Sequence, residues 1–286
     1  MDAETNENTY ILDTENPVEM GRLIDLGRMI TKVMGGPLSG VPDLPIHATI
    51  LDLGCGPGGW VLDTAYATPD SEVAGVDISR IMVDYSNARA RTQGLTNTSF
   101  GVMDITESLD FSDATFDLVN ARLLVGVLKR ESWASFIAEC KRILKPGGLL
   151  RLTEPIDGLG VTNSVAFDKL NQLAYQLFWN AKYGFSTDGH SLGMSTMLPR
   201  MLRKAGYRDV HIQGHVFEFS SDTEGYYDIR KNLEALAAQA ETSVAKLKGQ
   251  GEAQLLKQLY EQALRDMRSD EFCGVWHLAT MLGTKE

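Results

Sequence analysis

Between an apolar run and a helical pattern the chain reads Asp52-Leu53-Gly54-Cys55-Gly56-Pro57-Gly58-Gly59. Glycines at such a junction permit positive φ and let a ligand come close to the main chain. Gly54, Gly56 and Gly59 satisfy the spacing G-x-G-x-x-G, so a dinucleotide site is one reading of the turn. Asp77 closes the next apolar run, 21 residues after Gly56 (77 − 56), where a carboxylate can accept both hydroxyls of a ribose. Further along, Asp104 stands beside Ile105 after a third run. The fourth run holds Phe116-Asp117-Leu118-Val119 and leads into Asn120 and Arg122, and a fifth is introduced by Leu144-Lys145-Pro146-Gly147-Gly148.

Elements must hold these residues, and the hydrophobic pattern supplies them. Apolar positions from Glu19 to Met34 recur at helical spacing, and Gly35-Gly36-Pro37 stops that helix. A Pro-rich link over 37–45 follows. Short apolar runs at 49–54, 72–77, 98–103, 115–121 and 148–154 read as strands. They alternate with helices that start at about 58, after the N-cap Ser79, and at 133. Strands alternating with helices imply parallel βαβ units with right-handed crossovers, and such sheets bind ligands beyond the C-terminal ends of their strands. The remainder predicts an aromatic-rich helix over 162–184, a short helix over 197–207 and a strand over 209–220 bent at Gly214. Two polar helices over 224–248 and 252–268 and a last strand over 272–284 complete it.

The ordered set ILDLGCGPG, VAGVDIS, Met103-Asp104-Ile105, FDLV and LKPGG, spread over roughly 49–155, resembles the class I S-adenosylmethionine-dependent methyltransferases. One such motif is unspecific; five in this order are not. The resemblance implies an α/β, Rossmann-like, doubly wound sheet of seven strands, mostly parallel with the last antiparallel, plus helical lid insertions. It also implies roles by position. Gly54, Gly56 and Gly58, with Cys55 among them, would border the methionine and ribose of S-adenosylmethionine. Asp52 would orient that loop near the amino group. Asp77 would accept the ribose hydroxyls with Ile78 packed on adenine, and Asp104 would accept the adenine amino hydrogen with Ile105 beside it. Asn120 would sit near the methyl group and Arg122 near the cofactor carboxylate. The chemistry agrees: a sulfonium carries positive charge and no phosphate, and the turn offers neither lysine nor arginine. A dinucleotide enzyme is the rival. Spent cofactor would leave as S-adenosylhomocysteine.

On this plan 209–220 and 272–284 are the last two strands, and 156–195 and 222–270 become insertions near the C-terminal edge of the sheet. With the N-terminal helix they would cover the acceptor. Domain organisation reads as an N-terminal arm and helix over 1–45, part of the lid, and a methyltransferase domain over 46–286. Within the first insertion, Tyr175, Phe178, Trp179 and Tyr183 are candidates for an apolar acceptor wall; burial of that helix against the sheet explains the same residues. His190, in Asp188-Gly189-His190, is a candidate base, or a solvated loop histidine. Glu154 ends the fifth strand and would either meet the acceptor or be held by backbone donors. Tyr10 precedes the first helix, where it could close over the cofactor or pack at the surface. His211 and His215 share a strand face, but no third ligand is apparent, and a structural role is favoured over a metal pair. The stripe Leu233, Leu236, Ala240, Val244, Leu247 either packs on the domain or forms an oligomer seam, here a homodimer.

Composition bounds the rest. The 286 residues carry a formal charge of −11, from 27 Lys+Arg against 38 Asp+Glu, which argues against a nucleic-acid or anionic membrane partner. The first residues are acidic and polar, unlike a signal peptide. Three separated cysteines, Cys55, Cys140 and Cys273, give neither a disulfide framework nor a thiolate zinc site. The expectation is a cytoplasmic methyltransferase acting by in-line displacement on a small organic acceptor, with aromatic or natural-product-like compounds as candidates. A protein or RNA methyltransferase, and a protein that binds the cofactor without transfer, are the alternatives.

Overall fold

In the computed structural model, which describes residues 16–248 and 250–286, a sheet of eight strands is built around β1 (Thr49–Leu53). The last four residues of β1 are buried, as a strand covered by helices on both faces must be. It pairs in parallel with β2 (Glu72–Asp77) on one side and β4 (Phe116–Arg122) on the other. Outward from these, β2 pairs with β3 (Thr98–Val102) and β4 with β5 (Leu144–Pro155), again in parallel. β8 (Gly274–Lys285) runs antiparallel to both β5 and β7 (Tyr207–Glu218).

The count is one more than the seven expected. The extra strand is β6 (Val161–Thr162), a two-residue piece that pairs with Val275 and Gly274 after β5 has ended. The predicted bend of β7 at Gly214 is also displaced. Gly214 pairs in register with Ala279, and the irregularity lies between Arg208 and His211, where Asp209 takes φ +49°.

Chain order reverses between β1 and β4, which leaves a crevice beyond their C-terminal ends. α2 (Gly59–Ala67) starts directly from the glycine turn, and α3 (Arg80–Gln93) is capped by Ser79, whose hydroxyl accepts from the Met82 amide. α4 (Trp133–Ile143) buries Phe136, Ile137, Cys140 and Ile143, one stripe at helical pitch, against the sheet. α6 (Met194–Lys204) starts three residues earlier than its pattern suggests (197 − 194).

The other helices form a lid with a core of its own. α1 (Pro17–Val33), α5 (Val165–Asn180), α7 (Gly225–Lys248) and α8 (Gln250–Asp266) gather Ile30, Phe167, Leu170, Leu233, Leu256 and Ala263 into one buried cluster above the sheet. α5 is shorter at both ends than the aromatic pattern implied, because Ser164 caps it and the chain turns after Asn180. Leu233 therefore belongs to an intramolecular core and is 1% exposed; the side chains of Ala240, Val244 and Leu247 lie outside the described residues, as does Tyr10.

The link between α1 and β1 is tied down by Trp60, which donates to the Pro37 carbonyl at 2.8 Å, and by Arg151. That arginine, 1% exposed in the middle of β5, donates to the carbonyls of Pro37 and Ser39 at 2.9 and 3.1 Å. No helix among the described residues is long and apolar enough to cross a membrane.

Candidate functional site

The crevice opens into a cavity of about 410 Å³ that runs from the glycine turn to the underside of the lid. Gly54, Gly56 and Gly58 take φ of +69°, +52° and +75°, so the turn has the left-handed backbone that glycine alone adopts without strain. The Gly54 and Cys55 amides both donate to the Val76 carbonyl, and the Gly56 amide donates to Asp77 Oδ2 at 2.9 Å. A Cβ at Gly56 would meet no atom within 4 Å, while at Gly58 it would lie 2.7 Å from Ser86 Oγ. Gly58 is thus required by packing, and Gly56 leaves open space on the cavity side.

Three carboxylates face this end of the cavity: Asp52, Asp77 and Asp104. Asp52 is 4% exposed, and burial pushes its carboxyl up to about 6; the Arg122 charge and an Asn120 hydrogen bond of 2.7 Å work the other way. Burial also raises Asp77, against the Ser79 and Gly56 amides that donate to it. Asp104 accepts from the amide and hydroxyl of Thr106 at 2.8 and 2.7 Å. Ile78, Ile105 and Met82 add apolar wall between Asp77 and Asp104.

These residues fit S-adenosylmethionine better than a dinucleotide. Arg22 and Arg122 are the basic side chains among the described lining residues. Arg22 is held by Glu19, and Arg122, whose own pKa burial lowers, answers Asp52 and Asp63 and donates to Thr31 Oγ1 at 3.0 Å. Neither belongs to the glycine turn, where a pyrophosphate would sit. A buried acid with a raised pKa is what a cationic ligand would relieve. Asp52, Gly54, Gly56, Asp77, Ile78, Asp104, Ile105 and Arg122 line the cavity together with Cys55. Cys55 is 8% exposed, and burial pushes its thiol up, away from nucleophilic chemistry.

Asn120 stands elsewhere than expected. It is fully buried within β4, donating to Asp52 and accepting from Arg151 at 3.1 Å, and it does not line the cavity. Its place makes it a positioning residue for Asp52, one link in a chain from the Pro37–Ser39 loop through Arg151 to the acid.

Glu154 is also placed away from the cavity. It is 1% exposed and accepts from the Leu124 and Val125 amides at 2.7 and 3.1 Å. Burial pushes it up to about 8. It is the strand-end acid held by backbone donors, and what it fixes is the 124–126 turn, which does line the cavity. His190 is exposed, 4.0 Å from an equally exposed Asp188, outside the lining. Neither residue is positioned to take a proton from a molecule in the cavity.

Of the aromatic candidates, Tyr175 and Phe178 line the cavity. The Tyr175 hydroxyl accepts from the Gly158 amide at 2.8 Å. Tyr183 packs edge-on behind Phe178, and Trp179 is 37% exposed on the outer side of α5. Most of the apolar lining under the helices comes from residues the sequence did not put forward as acceptor contacts: Leu23 and Leu26 of α1, Leu170 and Leu177 of α5, Leu236 of α7 and Leu256 of α8. His215 bonds Thr280 Oγ1 at 2.9 Å, His211 is exposed beside the Asp209 carbonyl, and no group of three metal-ligating side chains is found among the described residues.

Residues 50–148 match a family described as a methyltransferase domain. With the strand order β3-β2-β1-β4-β5 and the acid-lined glycine turn, this identifies residues 50–148 as a methyltransferase domain of the S-adenosylmethionine-dependent type. A demethylmenaquinone methyltransferase of Lactococcus lactis is 29% identical over 137 residues, 48% of this chain and 50% of that protein. The YcgJ protein of Bacillus subtilis has the same fold with a TM-score of 0.55 at 17% identity, over 92% of this chain and 98% of that one. Phosphoethanolamine N-methyltransferase 2 of Haemonchus contortus, solved with phosphomonomethylethanolamine and S-adenosylhomocysteine, gives 0.54 at 19% identity, over 96% and 60%. The chain spans about half the length of the curated relatives it matches.

Proposed function

We propose that this chain transfers a methyl group from S-adenosylmethionine to a small, largely apolar organic acceptor held under the helical lid. The observation that carries this reading is one cavity continuous from the acid-lined turn to a wall of leucines contributed by four lid helices. When bound, the cofactor supplies an electrophilic methyl on a cationic sulfur. The role of Asp52, Asp77, Asp104 and the open glycine turn is to hold and orient it. The role of Leu124, Val125 and the lid leucines is to exclude water and align the acceptor, and much of an in-line displacement can be catalysed by alignment and desolvation. With His190 and Glu154 outside the cavity, the reading assigns no general base. Residues 1–45 act in it as part of the lid and 46–286 as the transferase domain, in a cytoplasmic enzyme whose partner is a small molecule.

The test is incubation of the protein with methyl-labelled S-adenosylmethionine and a metabolite extract. Label in the small-molecule fraction is expected. Label in protein or RNA would move the acceptor to those classes, and tight binding with no label anywhere would make the chain a cofactor-binding protein.

A further inference from the structure

At the lid end of the cavity, away from the glycine turn, three side chains that can donate hydrogen bonds interrupt an otherwise apolar wall. Arg22 of α1, Asn232 of α7 and Tyr260 of α8 all line the cavity. The Arg22 guanidinium donates from Nη1 to Asn232 Oδ1 at 3.0 Å, so those two side chains touch across a gap of 210 residues. The charge of Arg22 is felt at the Tyr260 phenol, which burial pushes up to about 12 and therefore keeps protonated. Tyr260 is 7% exposed.

Arg22 does not present a bare positive charge. Glu19, fully buried, takes its Nε and Nη2 at 2.7 and 2.6 Å, and Gln239 donates to the same carboxylate at 2.9 Å. Glu19 thus offsets the Arg22 charge, while the Asn232 amide nitrogen and the phenol are donors by chemistry. A second anion here would enter an apolar, covered space with Glu19 nearby, which costs more than a neutral acceptor.

We propose that Asn232 and Tyr260, with Arg22 holding the Asn232 carbonyl oxygen, form a head-group subsite that takes a neutral oxygen acceptor, a carbonyl or comparable group, on the end of the methyl acceptor remote from the glycine turn. The inference rests on the small-acceptor reading above and narrows it: the substrate class is an apolar body carrying a neutral carbonyl-type oxygen, rather than a carboxylate or a phosphate ester.

The probe for the test is 6-propionyl-2-(dimethylamino)naphthalene, a neutral aryl ketone whose emission moves to longer wavelength when its carbonyl is hydrogen-bonded. Its controls are 2-(dimethylamino)naphthalene, which lacks the carbonyl, and 6-(dimethylamino)-2-naphthoate, which is anionic. All are titrated into protein saturated with S-adenosylhomocysteine. The ketone should bind wild type more tightly than both controls. Tyr260→Phe and Asn232→Leu should each weaken it by roughly 2- to 12-fold, the range of one neutral hydrogen bond, and move its emission to shorter wavelength. They should leave the control without a carbonyl and S-adenosylhomocysteine unchanged. Tyr260→Phe removes one oxygen and keeps the ring, so it guards against a folding artefact.

If the ketone and both controls bind wild type and the two variants alike, the head-group subsite is wrong while the small-acceptor reading stands. Tighter binding of the naphthoate would overturn the neutral-oxygen claim. If S-adenosylhomocysteine binds and none of the three probes does, the small-acceptor reading itself fails, and the subsite with it.

Discussion

Replacing Gly56 and Gly58 by alanine, one at a time, separates the two reasons for a glycine in this turn. Both positions have left-handed φ, +52° and +75°, so each alanine costs about 1–2 kcal/mol of backbone strain. At Gly58 the new methyl would also stand 2.7 Å from Ser86 Oγ and 2.9 Å from Phe100 Cε1, inside a packed wall. Overpacking adds about 1–3 kcal/mol, so Gly58→Ala should destabilise the protein by about 2–5 kcal/mol in total. At Gly56 nothing lies within 4 Å of the added carbon, and the stability loss should stay near the strain alone. That open space is where the cofactor is proposed to approach the main chain. A methyl there costs the bound state a similar overpacking term, roughly a 5- to 150-fold loss of affinity. Urea unfolding measures the first quantity and calorimetric titration with S-adenosylhomocysteine the second. Gly56→Ala binding S-adenosylhomocysteine as well as wild type would refute the assignment of the turn as the cradle. Gly58→Ala unfolding no more easily than Gly56→Ala would refute the packing argument.

Two predictions concern protons. The Asp52 carboxyl, at about 6 before any cationic ligand binds, should make S-adenosylmethionine affinity full above that pH and about tenfold weaker at pH 5, read by titration across pH; Asp52→Asn should bind weakly with no such dependence. Glu154 is raised from 4.5 to about 8, so the folded protein holds its proton where the unfolded chain has lost it. Its stabilising contribution is therefore complete below pH 4.5 and lost as pH rises through 8. At 1.36 kcal/mol per pH unit, wild type should lose up to about 4 kcal/mol relative to Glu154→Gln between pH 5 and pH 8.5, measured by urea unfolding at both. A constant difference would mean that the two backbone donors keep Glu154 ionised throughout. A further variant, His190→Ala, should retain full turnover on whatever acceptor the labelling experiment identifies, since the side chain is exposed and outside the cavity lining.

What the sequence disclosed follows the range of the interactions involved. The glycine turn, Asp77 and Asp104 were legible because each stands at the end of a strand whose apolar run is local, and the strand order then brings those ends together. Ser79 was legible as a cap for the same reason, its partner Met82 being three residues away. Asn120 was placed in the right strand and on the wrong surface, because its partners Asp52 and Arg151 lie on the two neighbouring strands.

The alternatives for Glu154 stayed open for want of the Leu124 and Val125 amides, 30 and 29 residues earlier. The aromatics of 175–183 all read alike, since helical spacing defines stripes without saying which stripe faces the sheet, the cavity or the surface. The Arg22–Asn232–Tyr260 cluster had no local signal at all. It exists because three lid helices, far apart in the chain, share one core.

Thermal unfolding with and without ligand tests the central claim, that the acid-lined glycine turn holds S-adenosylmethionine, most directly. Added at about 100 times its dissociation constant, S-adenosylhomocysteine should stabilise the folded chain by about 2.7 kcal/mol. That corresponds to a rise in midpoint of roughly 5–10 °C for a chain of this size, whereas NAD at the same concentration should give none. A rise with NAD and none with S-adenosylhomocysteine would contradict the account.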